Sequence, residues 1–438
     1  MNKHLLGLLA GTALLFAGSE AAFAKPTGTA EAVYLEKLYL HFHQNPELSL
    51  KEFETAKRMK AELEQVGFDV TEGVGGTGLV AMMKNGPGPV LMLRADMDAL
   101  PVAEQTGLDY ASKARGLNQR GQDVSVMHAC GHDVHMTSLV GTARYLADHK
   151  DDWSGTLMLV AQPAEEVGKG ARAMLADGVF ERFPKPDYNI ALHVNANLPA
   201  GKIGYTSGFA LANVDSVDIE VHGIGGHGAY PHTTKDPIVL AAYIITALQT
   251  LVSRQTSPLD PAVVTVGSIH GGSKHNIISD SVHLQLTVRS YSDETRAALL
   301  AGIERIAVNQ GRAFGLPDDK LPEVEIKDEF TPATYNTPEL AKRVGAAIGR
   351  AIGVDNVSEL DPVMGGEDFG RFGRTDDKIP SVIYWLGAVE PGVYAKAKAE
   401  GISLPSLHSP FFAPDRNLTI ATGVSSMSAI ALDILGKD

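Results

Sequence analysis

The side chains best suited to catalysis are concentrated in a few short segments, of which His128 to Asp133 (HACGHD) is the richest. Only a glycine separates Cys130 from His132, so the thiolate and the imidazole can both turn toward one ion such as zinc. A buried cysteine beside hydrogen-bonded histidines explains the segment equally well when it is taken alone.

A second segment, Gln162 to Glu166, ends in two adjacent carboxylates. It follows the apolar run Leu157 to Ala161, and the carboxyl ends of such buried strands are where open α/β sheets hold their sites. One of Glu165 and Glu166 could bind a metal ion while the other accepts a proton from a water on that ion. The alternative is a solvated acidic loop.

Other polar residues near predicted strand ends and turns have weaker signals. His193 and His408 are isolated histidines, which are more often hydrogen-bonded core residues than ligands. Asp96 and Asp98 follow an apolar strand, where helix capping is the alternative role. Gly223 to His232 by itself indicates a tight turn with exposed histidines.

The segment Gly73 to Gly78 has the glycine spacing of a dinucleotide-binding fingerprint. It leads into the strand-like run 79–83, whereas the fingerprint requires the glycines to open a helix. We therefore predict no nucleotide site.

The first half of the chain has the pattern of an α/β domain. Its apolar runs are hydrophobic on both faces, as in a covered parallel sheet, and helical patterns lie between them. Ser49 to Glu52 resembles a capping box that begins a helix ending at Gly67. The predicted strands are at 79–83, 90–93, 156–161, 190–194 and 381–386, and the predicted helices at 134–147, 171–177, 338–352 and 421–435.

From residue 213 onward, apolar and polar residues alternate, which indicates strands with one face in water. The order of elements is that of a small β-α-β-β-α-β sandwich. We therefore predict an α/β domain with a mostly parallel central sheet (25–212 and 332–438), interrupted by an inserted ferredoxin-like α+β domain (213–331). The elements of the insertion are predicted at 215–222, 237–253, 262–269, 281–289, 293–314 and 323–327.

The first 24 residues have the pattern of a secretory signal peptide. Lys3 precedes the apolar run Leu5 to Phe16, and Ala22-Phe23-Ala24 provides a small-residue cleavage site. No other apolar run is judged long enough to cross a membrane, so no permanent membrane anchor is expected. Export to the periplasm or the extracellular space follows as the expectation.

Charge and cysteine content limit the partners. A formal charge of −14 would be repelled by phosphate backbones, so a nucleic acid partner is not expected. An exported chain usually pairs its cysteines, yet Cys130 is the only one. A bound metal ion would explain the unpaired cysteine, because it would hold the sulfur as a thiolate.

Taken together, seven motifs resemble the aminoacylase/carboxypeptidase-type metallopeptidase family, in the branch of hippurate hydrolases and plant auxin-amino-acid amidohydrolases. The likeness runs from about residue 34 to the C-terminus. The motifs are Asn45 to Ser49, Arg94 to Pro101, His128 to Asp133, Gln162 to Glu166, Gly225 to His232, Gly365 to Phe369 and Leu407 to Pro410.

This resemblance implies a site for one or two divalent ions, with manganese or zinc expected and cobalt or nickel as alternatives. Glu165 falls on the position of the general base, and Asp98 on that of an acid that orients a metal-binding imidazole. The positions that bind metal in this branch are occupied here by Cys130, His132, Glu166, His193 and His408.

The resemblance also implies a homodimer or larger assembly formed through the inserted domain. His227 matches a histidine that enters the partner's active site and stabilises the developing oxyanion. Asn276 and Arg289 match positions associated with the substrate carboxylate, for which arginine offers two parallel donors.

The sequence departs from the family pattern at four positions. Asp96 stands where dinuclear carboxypeptidases carry a ligating histidine, which leaves open whether it contacts metal. Ser279 replaces a common proline, and Val167 and Lys169 interrupt a glycine run. The change at Lys169 could alter the preference for the acyl group.

The leading interpretation is an exported amidohydrolase that releases an amino acid from a small-molecule N-acyl or N-aroyl amino acid, as in hippurate. A dipeptidase or carboxypeptidase is the alternative enzyme, and the cysteine-containing motif favours the amidohydrolase branch. A non-catalytic protein that binds small acids is a third interpretation. It is disfavoured because Glu165 and a complete ligand set are present.

Overall fold

The computed structural model describes residues 29–437, and the predicted signal peptide lies outside these described residues. The helices are α1 (Thr29–Gln44), α2 (Phe53–Gln65), α3 (His132–Asp148), α4 (Gly170–Ala176), α5 (Val179–Arg182), α6 (Pro237–Thr250), α7 (Asp293–Ala313), α8 (Pro338–Ile352), α9 (Gly370–Gly373), α10 (Pro391–Glu400) and α11 (Arg416–Leu435). The strands are β1 (Asp69–Val74), β2 (Gly78–Asn85), β3 (Val90–Asp96), β4 (Arg115–Leu117), β5 (Asp123–Ser125), β6 (Gly155–Gln162), β7 (Tyr188–Pro199), β8 (Ile203–Tyr205), β9 (Gly208–Leu211), β10 (Asn213–His222), β11 (Gly226–His227), β12 (Ala262–Gly271), β13 (Ile277–Ile278), β14 (Ser281–Ser290), β15 (Glu323–Ile326), β16 (Thr334–Asn336), β17 (Val357–Glu359) and β18 (Ser381–Val389).

The central sheet has eight strands in the order β1-β2-β6-β3-β7-β18-β8-β17. The pairs β6/β3, β3/β7, β7/β18 and β8/β17 are parallel, so the sheet is mixed but mostly parallel, as predicted. Strands β6, β3, β7 and β18 run in one direction and end together at one edge of the sheet, whereas β8 is antiparallel to β18.

Both faces of this sheet are covered, which explains its continuous apolar runs. Along β3, Leu91 and Leu93 belong to one buried cluster and Met92 to another on the opposite face. On β6, Leu159 likewise belongs to the first cluster and Val160 to the second. Helices α1, α3, α8 and α11 contribute to the first cluster, and α4, α5 and α9 to the second.

Two details differ from expectation. Strand β2, predicted at 79–83 as part of a parallel sheet, is antiparallel to both neighbours, β1 and β6. A glycine-rich turn joins β1 to β2 and reverses the chain between them. The false dinucleotide fingerprint is this turn. The capping box is also wrong, since α2 begins at Phe53 and the Ser49 hydroxyl donates to Asp98 instead of capping it.

A second sheet has the antiparallel order β12-β14-β10-β15, and its elements follow the predicted β-α-β-β-α-β series. Val217, Ile219 and Val221 of β10 face a separate buried cluster with side chains of α6 and α7. The alternating pattern therefore arises because helices cover only one face. The boundaries at 212 and 331 stay a prediction.

Two helices in the described part, both predicted from the sequence, are long and apolar enough to cross a membrane by length and composition alone, although no run beyond the N-terminal one was expected to be long enough. The apolar window of Arg416–Leu435 is 72% buried, so its composition reflects its place in the core. The window in Pro237–Gln255 is 33% buried. Its exposed side chains include Ile238, Val239 and Tyr243.

Candidate active site

The predicted metal-binding side chains converge at the edge where the parallel strands end. Glu166 follows β6, His193 lies on β7, and Cys130 and His132 stand at the beginning of α3. Gly131 between them has a φ of +77°, and a Cβ there would lie 2.6 Å from Val194 Cγ2. Only glycine permits this turn, which brings thiol and imidazole to the same edge.

Short distances connect this cluster. Cys130 Sγ lies 3.5 Å from His193 Nε2, and His132 Nε2 lies 3.8 Å from Glu166 Oε1. His408, which a distant loop supplies, places Nε2 3.4 Å from Glu166 Oε2. All five residues predicted to bind metal are therefore neighbours.

The cluster fits a divalent cation. His132 Nε2 and Glu166 Oε1 are buried, and neither has a hydrogen-bond partner among the described residues. Unpaired buried polar atoms are costly, and a cation between them would satisfy both. Cys130, His132 and His193 form one group with ligand spacing, and Cys130, Glu166 and His408 form another.

Electrostatics support the same conclusion. Burial and the negative charge of Glu165 and Glu166 raise the pKa of the Cys130 thiol well above its usual value. Burial, with nearby Glu367 and Glu166, also raises the pKa of Glu165 well above normal. Burial raises the pKa of Glu166 to about 8 although His132 opposes the shift. A bound cation favours the ionised forms and so offsets these costs.

Asp98 holds the two catalytic-site loops together. Its carboxylate accepts hydrogen bonds from the backbone N–H groups of Glu165 (3.2 Å) and Glu166 (3.0 Å) and from the Ser49 hydroxyl (2.6 Å). His132 Nδ1 donates to the Asp98 backbone carbonyl at 2.8 Å, and the carboxylate lies 3.4 Å away. Asp98 therefore contacts the imidazole of His132, as predicted, and also holds the backbone of Glu165 and Glu166 in place.

Asp96 has other partners. One carboxylate oxygen lies 2.6 Å from His135 Nδ1 and the other accepts from Arg94 at 2.7 Å. His135 Nε2 in turn accepts the Val194 N–H at 2.9 Å. Burial lowers the pKa of His135 to about 3, so its ring is neutral and can donate to Asp96 while accepting from the backbone. Asp96 therefore positions the strand that carries His193.

Sequence reasoning gave no role to several residues that support the site. Arg94 is fully buried and pairs with Glu367 at 2.8 Å as well as with Asp96. Glu52 accepts the Ala164 N–H at 2.8 Å, which holds the turn before Glu165. The signal for Arg94 and Glu367 was present, since both lie in motifs that carry the family resemblance.

A cavity of about 860 Å³ opens onto this cluster. Cys130, Glu165, Glu166, His193 and His408 line it, and so does Arg289 of β14. His227 and Asn276 do not line it. Both are exposed and lie together beside the short β11/β13 pair, where Asn276 O accepts the Gly228 N–H. Within one chain, these two predicted residues are not part of the site.

The fold and the ligand set together define a metal-dependent hydrolase of α/β architecture. Residues 92–409 match peptidase family M20/M25/M40, and the chain belongs to this family. The predicted resemblance is confirmed, and with it the assignment to metal-dependent amidohydrolases and peptidases.

Relatives within the family have differing activities. Thermostable carboxypeptidase 2 of Saccharolobus solfataricus is 35% identical over 399 residues, which are 90% of this chain and 94% of the relative. Hippurate hydrolase of Campylobacter jejuni is 39% identical over 343 residues, 77% of this chain and 84% of the relative. A solved Bacillus subtilis structure, described as a dinuclear metal binding peptidase of the M20 family, aligns with a TM-score of 0.74 at 29% identity, covering 93% of this chain and 99% of that chain.

Replacing Cys130 by serine should weaken binding of divalent ions by about 100-fold or more, because loss of even an outer-shell partner typically costs about 10–100-fold. Isothermal titration of chelator-treated protein with manganese and with zinc measures this. His149→Gln, at the far end of the same helix, is the matched control and should leave the affinity unchanged. Equal affinities for Cys130→Ser and the parent protein would exclude the thiolate as a ligand.

Proposed function

We propose that the protein hydrolyses the amide bond of N-acyl or N-aroyl amino acids, releasing a carboxylic acid and a free amino acid. The supporting observation is a single cavity that combines Glu165 and the metal-ligand cluster with Arg289, whose charge no acid in residues 29–437 offsets. A substrate with an amide and a free carboxylate has the two groups that these features would bind.

Arg289 is suited to the carboxylate. Its side chain is half-buried, and Nη1 donates to the Met364 carbonyl at 2.7 Å. Burial lowers its pKa, and no nearby acid among the described residues counters this shift. Arginine nonetheless stays protonated in proteins, so a substrate carboxylate would supply the missing counter-charge.

Glu165 is suited to moving a proton. Burial and the neighbouring carboxylates raise its pKa, and a carboxylate with a raised pKa accepts a proton more readily. A divalent ion, when bound, lowers the pKa of water and polarises a carbonyl. Glu165 then takes the proton of the attacking water and delivers it to the leaving amine. For the ion we propose manganese or zinc, since carboxylate ligands suit the first and a thiolate the second.

The test is amino acid release from hippurate, N-acetyl amino acids and dipeptides, by chelator-stripped protein with and without manganese or zinc. We expect metal-restored release from acyl or aroyl amino acids in preference to dipeptides. A preference for dipeptides would instead support the peptidase alternative, which the carboxypeptidase relative favours.

Glu165→Gln is the matched control for this panel. It keeps the size of the side chain and should keep metal binding while losing most turnover, since general acid–base catalysis contributes about 10²–10⁴-fold. Turnover near the parent rate would remove Glu165 from the proton-transfer role. If the folded, metal-loaded parent protein releases no amino acid from any substrate, the result would favour the interpretation as a non-catalytic binding protein.

We further propose a homodimer in which His227 acts on the partner's site. Three exposed apolar side chains, Ile238, Val239 and Tyr243, lie on α6, and β12 is an edge strand of the second sheet with Ile269 exposed. Both features are typical of surfaces that bury against a partner. His227 is exposed and away from the cavity of its own chain, which supports a role in trans.

Mixing inactive variants tests the dimer. A chain with His227→Ala and a chain with Glu165→Gln, co-expressed, should recover roughly a quarter of parent activity if random pairing leaves one complete site in half of the dimers. Each variant expressed alone is the control and should remain nearly inactive. Absence of recovery in a verified mixed dimer would place His227 outside the partner's site.

Residues 1–24 lead us to propose export by a signal peptide, supported by the cationic start, the apolar run and the Ala22-Phe23-Ala24 exit. Protein recovered from the periplasmic fraction or medium should begin at Lys25 by intact mass. Ala24→Glu, which removes a small residue from the cleavage site, should accumulate uncleaved. An intact N-terminus on protein confined to the cytoplasm would contradict export.

A further inference from the structure

A second cavity, of about 810 Å³, adjoins the site and has no role in the proposed mechanism. One wall is the loop at Leu48–Lys51, and the other is the hairpin formed by β4 and β5. Its apolar lining includes Leu48, Leu50, Leu100, Leu117 and Val167. Ser49, Asn118, Gln119 and Gln122 also line it. A cavity of this size with several apolar side chains and a few polar ones can hold a sizeable apolar group.

This cavity adjoins the active-site cavity and shares part of its lining. Glu166, Val167 and Gln119 line both cavities, so the boundary between them lies at the metal-ligand cluster. Arg289 lines only the first cavity. If Arg289 binds the carboxylate of the amino acid, the acyl group on the other side of the scissile amide extends toward the second cavity.

The wall at Leu50 is held in place. Leu50 has a φ of 68°, a left-handed conformation that costs free energy in a non-glycine residue. Its N–H donates to Glu52 at 2.9 Å, and the neighbouring Ser49 hydroxyl donates to Asp98. The same hydrogen bonds that position the catalytic loops therefore position this wall.

The opposite wall ends in Leu117, whose side chain is 60% exposed. An exposed leucine at the mouth of a cavity gains free energy when an apolar ligand covers it. Lys51 and Arg120 also line the cavity, but both are exposed at its solvent rim, so their charges stay hydrated.

We propose that this second cavity, between Leu50 and Leu117, is the acyl subsite and that it selects bulky apolar acyl groups, medium-chain fatty acyl or aroyl, over acetyl. The proposal rests on the proposed amidohydrolase function and names its substrate class. Val167 lies at the boundary of the two cavities, where it would contact the first carbons of the acyl chain.

The experiment compares kcat/KM for acetyl, butanoyl, hexanoyl, octanoyl and benzoyl derivatives of one amino acid, using metal-loaded full-length protein. We expect kcat/KM to rise roughly fourfold per methylene until the cavity is filled, which is the effect of burying about one CH₂. Leu117→Ser should reduce the octanoyl-to-acetyl ratio by about tenfold. Because Leu117 is exposed, this substitution does not open a hole in the core.

Leu259→Ser is the matched control, since Leu259 is 90% exposed and lies outside both cavities. It should leave the whole acyl series unchanged. A second series holds the acyl group constant and varies the amino acid side chain, and Leu117→Ser should not change the ratios within it.

The outcomes separate the two proposals. If the protein hydrolyses the acetyl derivative and kcat/KM does not rise for longer acyl groups, the acyl subsite is overturned and the amidohydrolase function is retained. An effect of Leu117→Ser on the amino acid series in place of the acyl series would also overturn it, because the substrate would then bind in the opposite direction. Metal-loaded protein that cuts no acyl amino acid would overturn both.

Discussion

Excess negative charge buried at the ends of the parallel strands is the constraint on which the site depends. Arg94, the one fully buried guanidinium in the described part of the chain, balances Asp96 and Glu367. Within residues 29–437, Glu165 and Glu166 have no arginine or lysine partner, and the pKa of each is raised. Buried charges are stable only when they are paired, so a divalent cation bound beside Glu165 and Glu166 would compensate their charge.

The second requirement is that the charged groups hold one arrangement. Asp98 binds two consecutive backbone N–H groups and the Ser49 hydroxyl, while Glu52 binds the N–H of Ala164. Ala164 itself has a φ of 50°, so these contacts hold a strained turn in place. A site built from preorganised carboxylates spends little free energy on reorganisation during the reaction.

The two sheets contribute differently to function. The central sheet is covered on both faces and places side chains at a rigid edge, as expected of an α/β enzyme. The antiparallel sheet has its own core and contributes Arg289 from β14 to the cavity wall. Because the cavity is lined from both sheets, their relative position sets the distance between the metal-ligand cluster and Arg289.

Much of this could be predicted from local sequence pattern. Apolar runs and turn chemistry indicated five of the eight strands of the central sheet and the order of elements in the second sheet, because periodicity and burial are properties of neighbouring residues. The strands β1, β8 and β17 were not predicted. Errors arose where partners are distant. The Ser49 to Glu52 segment resembled a cap, yet Ser49 and Glu52 bind groups that tertiary contacts bring to them.

By itself, the sequence determined which residue types were available for a metal site, and the resemblance of its motifs identified the family. The resemblance implied that His193 and His408 join Cys130, and the tertiary structure brings these residues together. Only the tertiary structure decided that Asp96 contacts Arg94 and His135 and that His227 lies away from the cavity of its own chain. The physical reason is that a histidine or carboxylate has no role of its own. Its role follows from burial and from the neighbours that folding brings from remote parts of the chain.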